Sequence, residues 1–411
     1  MTTTTPAAAP PRPTFGRLVR AGGGPRYAAA LLVDALGSGL LRPFLLLYGI
    51  AVLRLDAATT GLAMTGGIVA GLACMPPLGR WLDRGARSSA VAAAMLVRVA
   101  GVAALLAAPT GSVALFALAA LFLGIGNQGW PAAHAALVTT VAEDGLRDTA
   151  LAAARAVRNA GLGLGALLAT GCLTGGAPAL RALAALSGAG FLAAAALARS
   201  VKVSAGRVER APGPAAADGG PRPLRAVLLA NTVYVFCLNV PEVAVPLVLV
   251  TVLHASPAWP AAVFVANTVL VVTLQVPVTR WAAARWPRAR VLALAGAVLA
   301  ASYLAFLPAT ALGPLAVALV TVPCTLGEIL YAGSATPLVT ALAPVGGLGR
   351  ALSRLQFSTG LGLALSPAVI TALTPLALWP ALAAGTLAAA GAVHRTGGGA
   401  CTGSGRAHGR A

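Results

Sequence analysis

Apolar stretches of about twenty residues recur along this chain, and that length leaves few folds open. It is the length an α-helix needs to cross the hydrocarbon core of a bilayer. Inside that core only helices and closed barrels satisfy their own backbone groups. The period-two alternation of barrel strands is absent, so the pattern predicts an all-α membrane protein. Twelve spans are read, at about 27–50, 58–79, 89–108, 112–137, 151–173, 179–198, 226–250, 258–279, 290–308, 313–337, 352–373 and 376–393. Only 9% of the 411 residues are charged, against about 25% in a soluble domain.

The sparse charge is strongly basic, with a formal net charge of +19. Basic loops mark the cytoplasmic side of a membrane protein. No basic run is interleaved with aromatics as a single-strand groove would be, so no nucleic-acid partner is expected. An even number of spans returns both ends to one side. That side collects 25 arginines and lysines, including Arg147, Arg155 and Arg158 around the opening of the fifth span, and the other only Arg54 and Arg181. Both termini are therefore expected in the cytoplasm, and the chain in the plasma membrane. The opening "MTTTTPAAAPPRPTFGRLVRAGGGPR" has no apolar core with a cleavage site, so it does not read as a signal peptide.

Residues 199–225, rich in Pro, Gly and charge, form the one long polar interruption and read as a flexible linker. The expected organisation is a cytoplasmic segment 1–26, a six-helix bundle 27–198, the linker 199–225, a second six-helix bundle 226–394 and a cytoplasmic segment 395–411. Three pairs of short matches support an internal duplication. "PPLGRW" at 76–81 pairs with "VPVTRW" at 276–281, "ALVTTVA" at 136–142 with "PLVTALA" at 337–343, and "RAVRNAGLGLG" at 155–165 with "RLQFSTGLGLA" at 354–364. They occur in the same order, about 200 residues apart. Two same-orientation halves of six helices are the parallel-repeat plan of a secondary transporter.

At this point the chain resembles the major facilitator superfamily across all twelve spans. The most specific local match follows the second span, where the family pattern reads G-x-x-x-D-R-x-G-R-R/K. Gly79, Asp83, Arg84 and Arg87 stand in the corresponding places, while Ala86 and Ser88 depart from it. The resemblance implies a conformational latch. Asp83 would sit at the start of helix eleven, where the helix dipole and free N–H groups favour a carboxylate. Arg84 would pair with Glu143 or Asp144 at the end of helix four. A positive-inside anchor explains the arginines of this loop but not Asp83.

Ionisable groups inside spans are costly and mark functional positions. Asp34 and Arg42 lie in span one, Arg98 in span three, Glu242 in span seven and Glu328 in span ten. The resemblance implies that helices 1, 4, 7 and 10 line a central cavity. Candidate cavity residues are then Arg42, Asn127, Gln128, Trp130, Tyr234, Asn239 and Tyr331. A carboxylate in a low-dielectric path holds its proton more readily than one in water, which suits a relay. Glu328 is the first candidate for proton coupling and Asp34 the second. Glu242 is the third, although it could instead pair with Arg42. Asp34 and Arg42 are about 80° apart around the helix and two turns apart along it, so they are not a direct pair. Arg98 is the expected counter-ion of Asp34.

These signals, few, aromatic and mildly acidic, favour proton-coupled efflux of a small organic compound, a drug or metabolite, by a monomeric antiporter in the bilayer. No cofactor is expected, the proton gradient being the energy source. The Gly-rich fifth span lacks the G-P-x-x-G-G ending of drug/proton antiporters, so that narrower activity is not implied. Alternatives are proton-coupled import of a solute and a non-transporting sensor or scaffold. An enzyme is not expected. His134, His254, His394 and His408 are scattered, and neither HExxH nor GxxxxGK[ST] occurs. The five cysteines form no CxxC or Cys/His ligand cluster, so no metal site is expected.

Overall fold

A computed structural model describes residues 15–143, 146–172, 175–203, 221–238, 240, 244–256, 258–372 and 375–402. All regular structure among them is helical. Helix α1 (Phe15–Ala21) precedes the first span, α2 (Pro25–Leu41). That span continues through a 3₁₀ turn at Arg42–Phe44, α3 (Leu45–Leu47) and a π turn at Tyr48–Val52. Spans two to six are α4 (Ala57–Ala73) with α5 (Met75–Asp83), α6 (Ser88–Ala107), α7 (Val113–Val141), α8 (Arg147–Cys172) and α9 (Gly176–Ser200). The second half repeats the plan. Span seven is α10 (Pro221–Leu238), α11 (Val245–Leu247) and the π turn Val248–Val252. Then follow α12 (Ala258–Ala283), α13 (Arg288–Leu312), α14 (Pro314–Leu342), α15 (Leu348–Ala372) and α16 (Pro375–Thr402). The last helix runs past the boundary expected at residue 394.

Helix starts follow local chemistry. Asp56 caps α4 by accepting the Thr59 N–H at 2.8 Å. Hydrogen bonds from the Thr59 side chain and backbone hold the Asp56 carboxyl below its ordinary range. Pro25 and Pro314 stand at or next to the first helical position of α2 and α14, each after a positive-φ glycine. Inside the first span, Pro43 has no N–H to donate, and the axis bends by 46° between Pro25–Leu41 and Leu45–Val52.

The duplication is visible in the backbone. The two π turns start 200 residues apart. Each is closed the same way, Leu53 N–H to Tyr48 O and Leu55 N–H to Gly49 O, against Leu253 N–H to Val248 O and Ala255 N–H to Leu249 O. The two non-glycine residues with positive φ among those described are Arg54 (58°) and His254 (48°), again 200 apart.

Among the described residues, eight helices are long and apolar enough to cross a membrane, and the bent first span makes nine. Two of the remaining three spans fall short for identifiable reasons. Helix α8 carries three arginines, and the apolar part of α10 is short. The fold is all-α, with twelve helices in two six-helix repeats. Each half has its own core. Tyr234, Tyr303, Phe306 and Trp379 are buried in the C-terminal half, where Trp379 stacks on Phe306 at 4.5 Å.

Small residues set the closest helix contacts. Helix α4 meets α7 at Gly67 and Gly124, and α2 meets α8 at Gly39 and Gly165. A Cβ on Gly124 would collide with the backbone of Gly67, and one on Gly165 with that of Leu36 and Gly39. Because the obstacle is backbone, side-chain rotation cannot relieve it. Gly124→Val is expected to destabilise by roughly 1–3 kcal/mol or more, read as a lower melting temperature in detergent. An unchanged melting temperature would show that the helices can move apart freely.

Candidate functional site

The face that carries the helix ends Arg87, Arg147 and Arg288 is here called the basic face. Two of the cavities between the halves share a pair of charged residues. One, of about 300 Å³, lies nearer the basic face and is lined by Pro131, Ala135, Tyr331, Leu352, Gln356 and Thr359 among others. The second, of about 260 Å³, lies farther along α8 and is lined by Arg42, Asn159, Asn267 and Thr268 among others. Arg155 and Glu328 line both. Arg155 donates from Nη2 to Glu328 Oε1 at 3.1 Å, so this ion pair joins the N-terminal half to the C-terminal half and forms the partition between the cavities. Arg155, Asn159 and Ala166 fall on one face of α8 at helical spacing, which brings polar groups to the partition.

A second charge cluster is buried inside the N-terminal half. Asp34 is fully buried and makes ion pairs with both Arg98 and Arg158, the latter at 3.3 Å. Arg98 also donates to Ser38 Oγ at 3.2 Å and lies over the Phe191 ring, 4.4 Å from its centre. Arg158 lies 4.0 Å over Trp130, Trp130 stacks on His134 at 4.7 Å, and Tyr27 Oη meets His134 Nδ1 at 2.7 Å. Two cations on one carboxylate give this cluster a net charge of +1.

In the C-terminal half the polar groups tie helices together. Asn231 donates to Ser358 and Thr359 of α15 at 2.8 and 3.0 Å and accepts from Tyr331 Oη at 2.6 Å. Tyr234 donates to the Leu292 carbonyl at 2.8 Å. Gln356 Nε2 reaches Gln128 Oε1 across the interface between halves at 2.9 Å.

On the basic face two ionic ties join the halves. Asp83 Oδ1 accepts the N–H groups of Gly349 and Arg350 at 2.7 and 3.3 Å, and Arg350 Nε lies 2.7 Å from Oδ2. The carboxylate thus sits at the N-terminus of α15, where dipole and unpaired N–H groups favour it. Gly79 makes this approach possible, since a Cβ there would stand 3.0 Å from Arg350 Cα and Ser353 Oγ. On the other flank, Asp148 at the start of α8 accepts two hydrogen bonds from Arg288 at 2.8 and 3.2 Å. The two ties occupy matching places in the repeat with the charges exchanged. The first half contributes an acid from the end of its second span, and the second half a base from the start of its third.

The sequence profile of the Major Facilitator Superfamily matches residues 27–367. The chain belongs to the major facilitator superfamily. It is a multi-pass membrane protein of a transporter family whose members carry small molecules. A comparison with curated proteins finds no match. Among solved structures, a bacterial homologue of the iron transporter ferroportin in an outward-facing state is similar at TM-score 0.73 and 12% identity, covering 90% of this chain and 97% of that one. The human organic anion transporter MFSD10 (TETRAN) is similar at TM-score 0.68 and 14% identity, covering 93% and 99%. The E. coli fucose:proton symporter FucP is similar at TM-score 0.67 and 14% identity, covering 90% and 96%. At these identities the likeness is one of fold.

Set on the superfamily fold, the sequence candidates separate. Glu328, Arg42 and Tyr331 line the cavities, and Gln128 stands beside Gln356 at their edge. Asn127 is half-buried and lines neither cavity. Trp130 and Tyr234 are not cavity walls. Both are buried within their own halves, Trp130 by its stack between Arg158 and His134, and Tyr234 by its bond to α13. Glu242, Asn239 and Asp144 lie outside the described residues. Glu143 stands 3.8 Å from Arg17 rather than on Arg84, because α1 packs against α8 and brings Arg17 to the end of α7. Arg84 is exposed. Arg87 makes the link to α7 instead, donating to Thr140 Oγ1 at 2.6 Å and to the Leu82 carbonyl at 2.7 Å. Arg155 and Arg158, read from sequence as part of a cytoplasmic helix end, stand about 12 and 16 Å along α8 at 1.5 Å per residue and face inward. The signal for them was the spacing Arg155, Arg158, Asn159, a polar stripe continued by small residues.

Proposed function

We propose that the protein is a proton-coupled secondary transporter that exports a small organic compound across the plasma membrane, with Glu328 as the proton carrier. The observation that carries this reading is the Arg155–Glu328 pair, which joins the two halves and separates the two cavities. A proton on Glu328 cancels the charge that holds Arg155, so protonation loosens the partition that alternating access must open. The apolar lining of the larger cavity by Pro131, Ala135, Leu352 and Leu355 suits a partly apolar solute. In this reading the basic face is cytoplasmic, with both termini on that side. The Asp83 and Asp148 ties hold that face closed and break when the cavity turns inward. The protein works as a monomer without a bound cofactor, its transport coupled to the proton gradient.

The test uses inside-out vesicles with an acidic lumen and a pH-sensitive dye. Organic acids, lipophilic cations, amino acids and sugars are added to wild type and to Glu328→Gln. The expected result is a compound-dependent change of lumenal pH in wild type that the variant lacks. An equal response in Glu328→Gln would remove Glu328 from coupling. Accumulation of the compound inside intact cells that express the protein would reverse the direction proposed.

A further inference from the structure

The charges around the partition do not describe an acidic cavity. The smaller cavity is lined by two guanidinium groups, Arg42 and Arg155, and one carboxylate, Glu328. Behind it the Asp34 cluster adds a further net positive charge through Arg158. Among the described residues no carboxylate pairs with Arg42. Two cations therefore face the cavity when Glu328 is protonated, and one remains in excess when it is not. A cation in a membrane span needs a partner. A cationic solute would meet repulsion from both arginines, whereas an anion would be attracted by both. The planar fork of arginine also matches a carboxylate with two parallel hydrogen bonds. Asn159, Asn267 and Thr268 offer polar contacts around the two cations, and the volume of about 260 Å³ sets a small ligand.

We propose that the substrate is a small organic carboxylate, bound in the smaller cavity by Arg42 and Arg155, and that it crosses the membrane together with a proton carried on Glu328. This rests on Glu328 being the proton carrier. The coupling follows from competition for Arg155. When the ligand carboxylate engages Arg155, Glu328 loses its counter-ion, and an unpaired carboxylate at that depth is costly. Ligand binding therefore draws a proton onto Glu328, and by linkage protonation strengthens ligand binding. No covalent bond of the ligand changes: one proton from water forms an O–H bond on Glu328 as one anion joins Arg155, and net acid moves. The titratable groups around Glu328 are Arg155 from α8, Tyr303 from α13, and Cys324 and Tyr331 on α14 itself. Helix α12 brings the uncharged Asn267 and the first span brings Arg42. The consequence departs from the antiport expected of the sequence. Export is then driven by the outward gradient of the acid, which carries a proton out with it, as co-transport.

The test is ligand binding to the purified full-length protein in detergent, followed by calorimetry, with proton uptake read by an indicator in weak buffer. The probes are benzoate, succinate and pyruvate, with benzylammonium and benzyl alcohol as cationic and neutral controls. At least one carboxylate is expected to bind with uptake of a proton, and benzylammonium is not. Arg42→Gln is expected to weaken that binding at least roughly tenfold, in line with a lost charge-assisted hydrogen bond. Arg42→Lys should restore part of it and guards against misfolding. Glu328→Gln should still bind the carboxylate but take up no proton. Failure of all three carboxylates to bind overturns the proposal, as does carboxylate binding indifferent to Arg42. Binding of benzylammonium in their place overturns the anion while leaving Glu328 as proton carrier. Undiminished proton uptake in Glu328→Gln removes the carrier itself.

Discussion

Asp34→Ala is expected to destabilise the N-terminal half by about 3–5 kcal/mol, the range for removing one partner of a buried ion pair. Asp34 is fully buried and Arg98 almost so, so solvent screening does little to soften the loss. Deleting the carboxylate leaves Arg98 and Arg158 side by side without a counter-charge. The measurement is thermal unfolding of the purified protein in detergent. Adding Arg98→Met to Asp34→Ala should recover part of the loss, since the double variant buries one fewer unpaired charge. A melting temperature unchanged by Asp34→Ala would show that the cluster does not hold the bundle.

Asp83→Ala is expected to open the basic face. The carboxylate accepts two backbone N–H groups of α15 and pairs with Arg350. Arg350 is half-exposed, so the guanidinium contact contributes less than the buried contact to Gly349. A hydrogen bond to a charged group contributes about 1.5–3 kcal/mol, enough to change the ratio of closed to open forms by at least roughly tenfold. Spin labels at Ser89→Cys and Val345→Cys, in a background without the native cysteines, report the distance between the two loops. The distribution should lengthen in Asp83→Ala and stay unchanged in Arg84→Ala. A wild-type distribution in Asp83→Ala would mean that the tie does not control closure.

Much of the architecture was legible because a bilayer imposes one rule, about twenty apolar residues per crossing. Twelve spans and two repeats follow from patterns local to the chain, and the place of Asp83 at helix eleven from the family resemblance. Arg155 and Arg158 were misplaced because the same residue type marks cytoplasmic loops and inward-facing helix positions, and only the facing helix distinguishes them. Glu328 was legible as an intramembrane acid, but its partner lies 173 positions earlier in the chain. That distance also concealed the sign of the cavity. Counting acids on cavity helices suggested mild acidity, whereas packing adds the arginines of α8. Trp130 and Tyr234 were read as cavity residues because a polar aromatic fits a wall as well as a core. The stack on His134 and the bond to the Leu292 carbonyl decide for the core.

The most direct test of the central claim is whether Glu328 takes up a proton in a manner governed by Arg155. Infrared difference spectra recorded across the pH range in which the protein stays folded report protonated carboxylic acids without requiring a known substrate. A protonated-carboxyl band is predicted in wild type. It should be lost in Glu328→Gln, retained in Asp34→Asn, and moved along the pH scale in Arg155→Gln. A wild-type band that persists unaltered in Glu328→Gln would contradict the account.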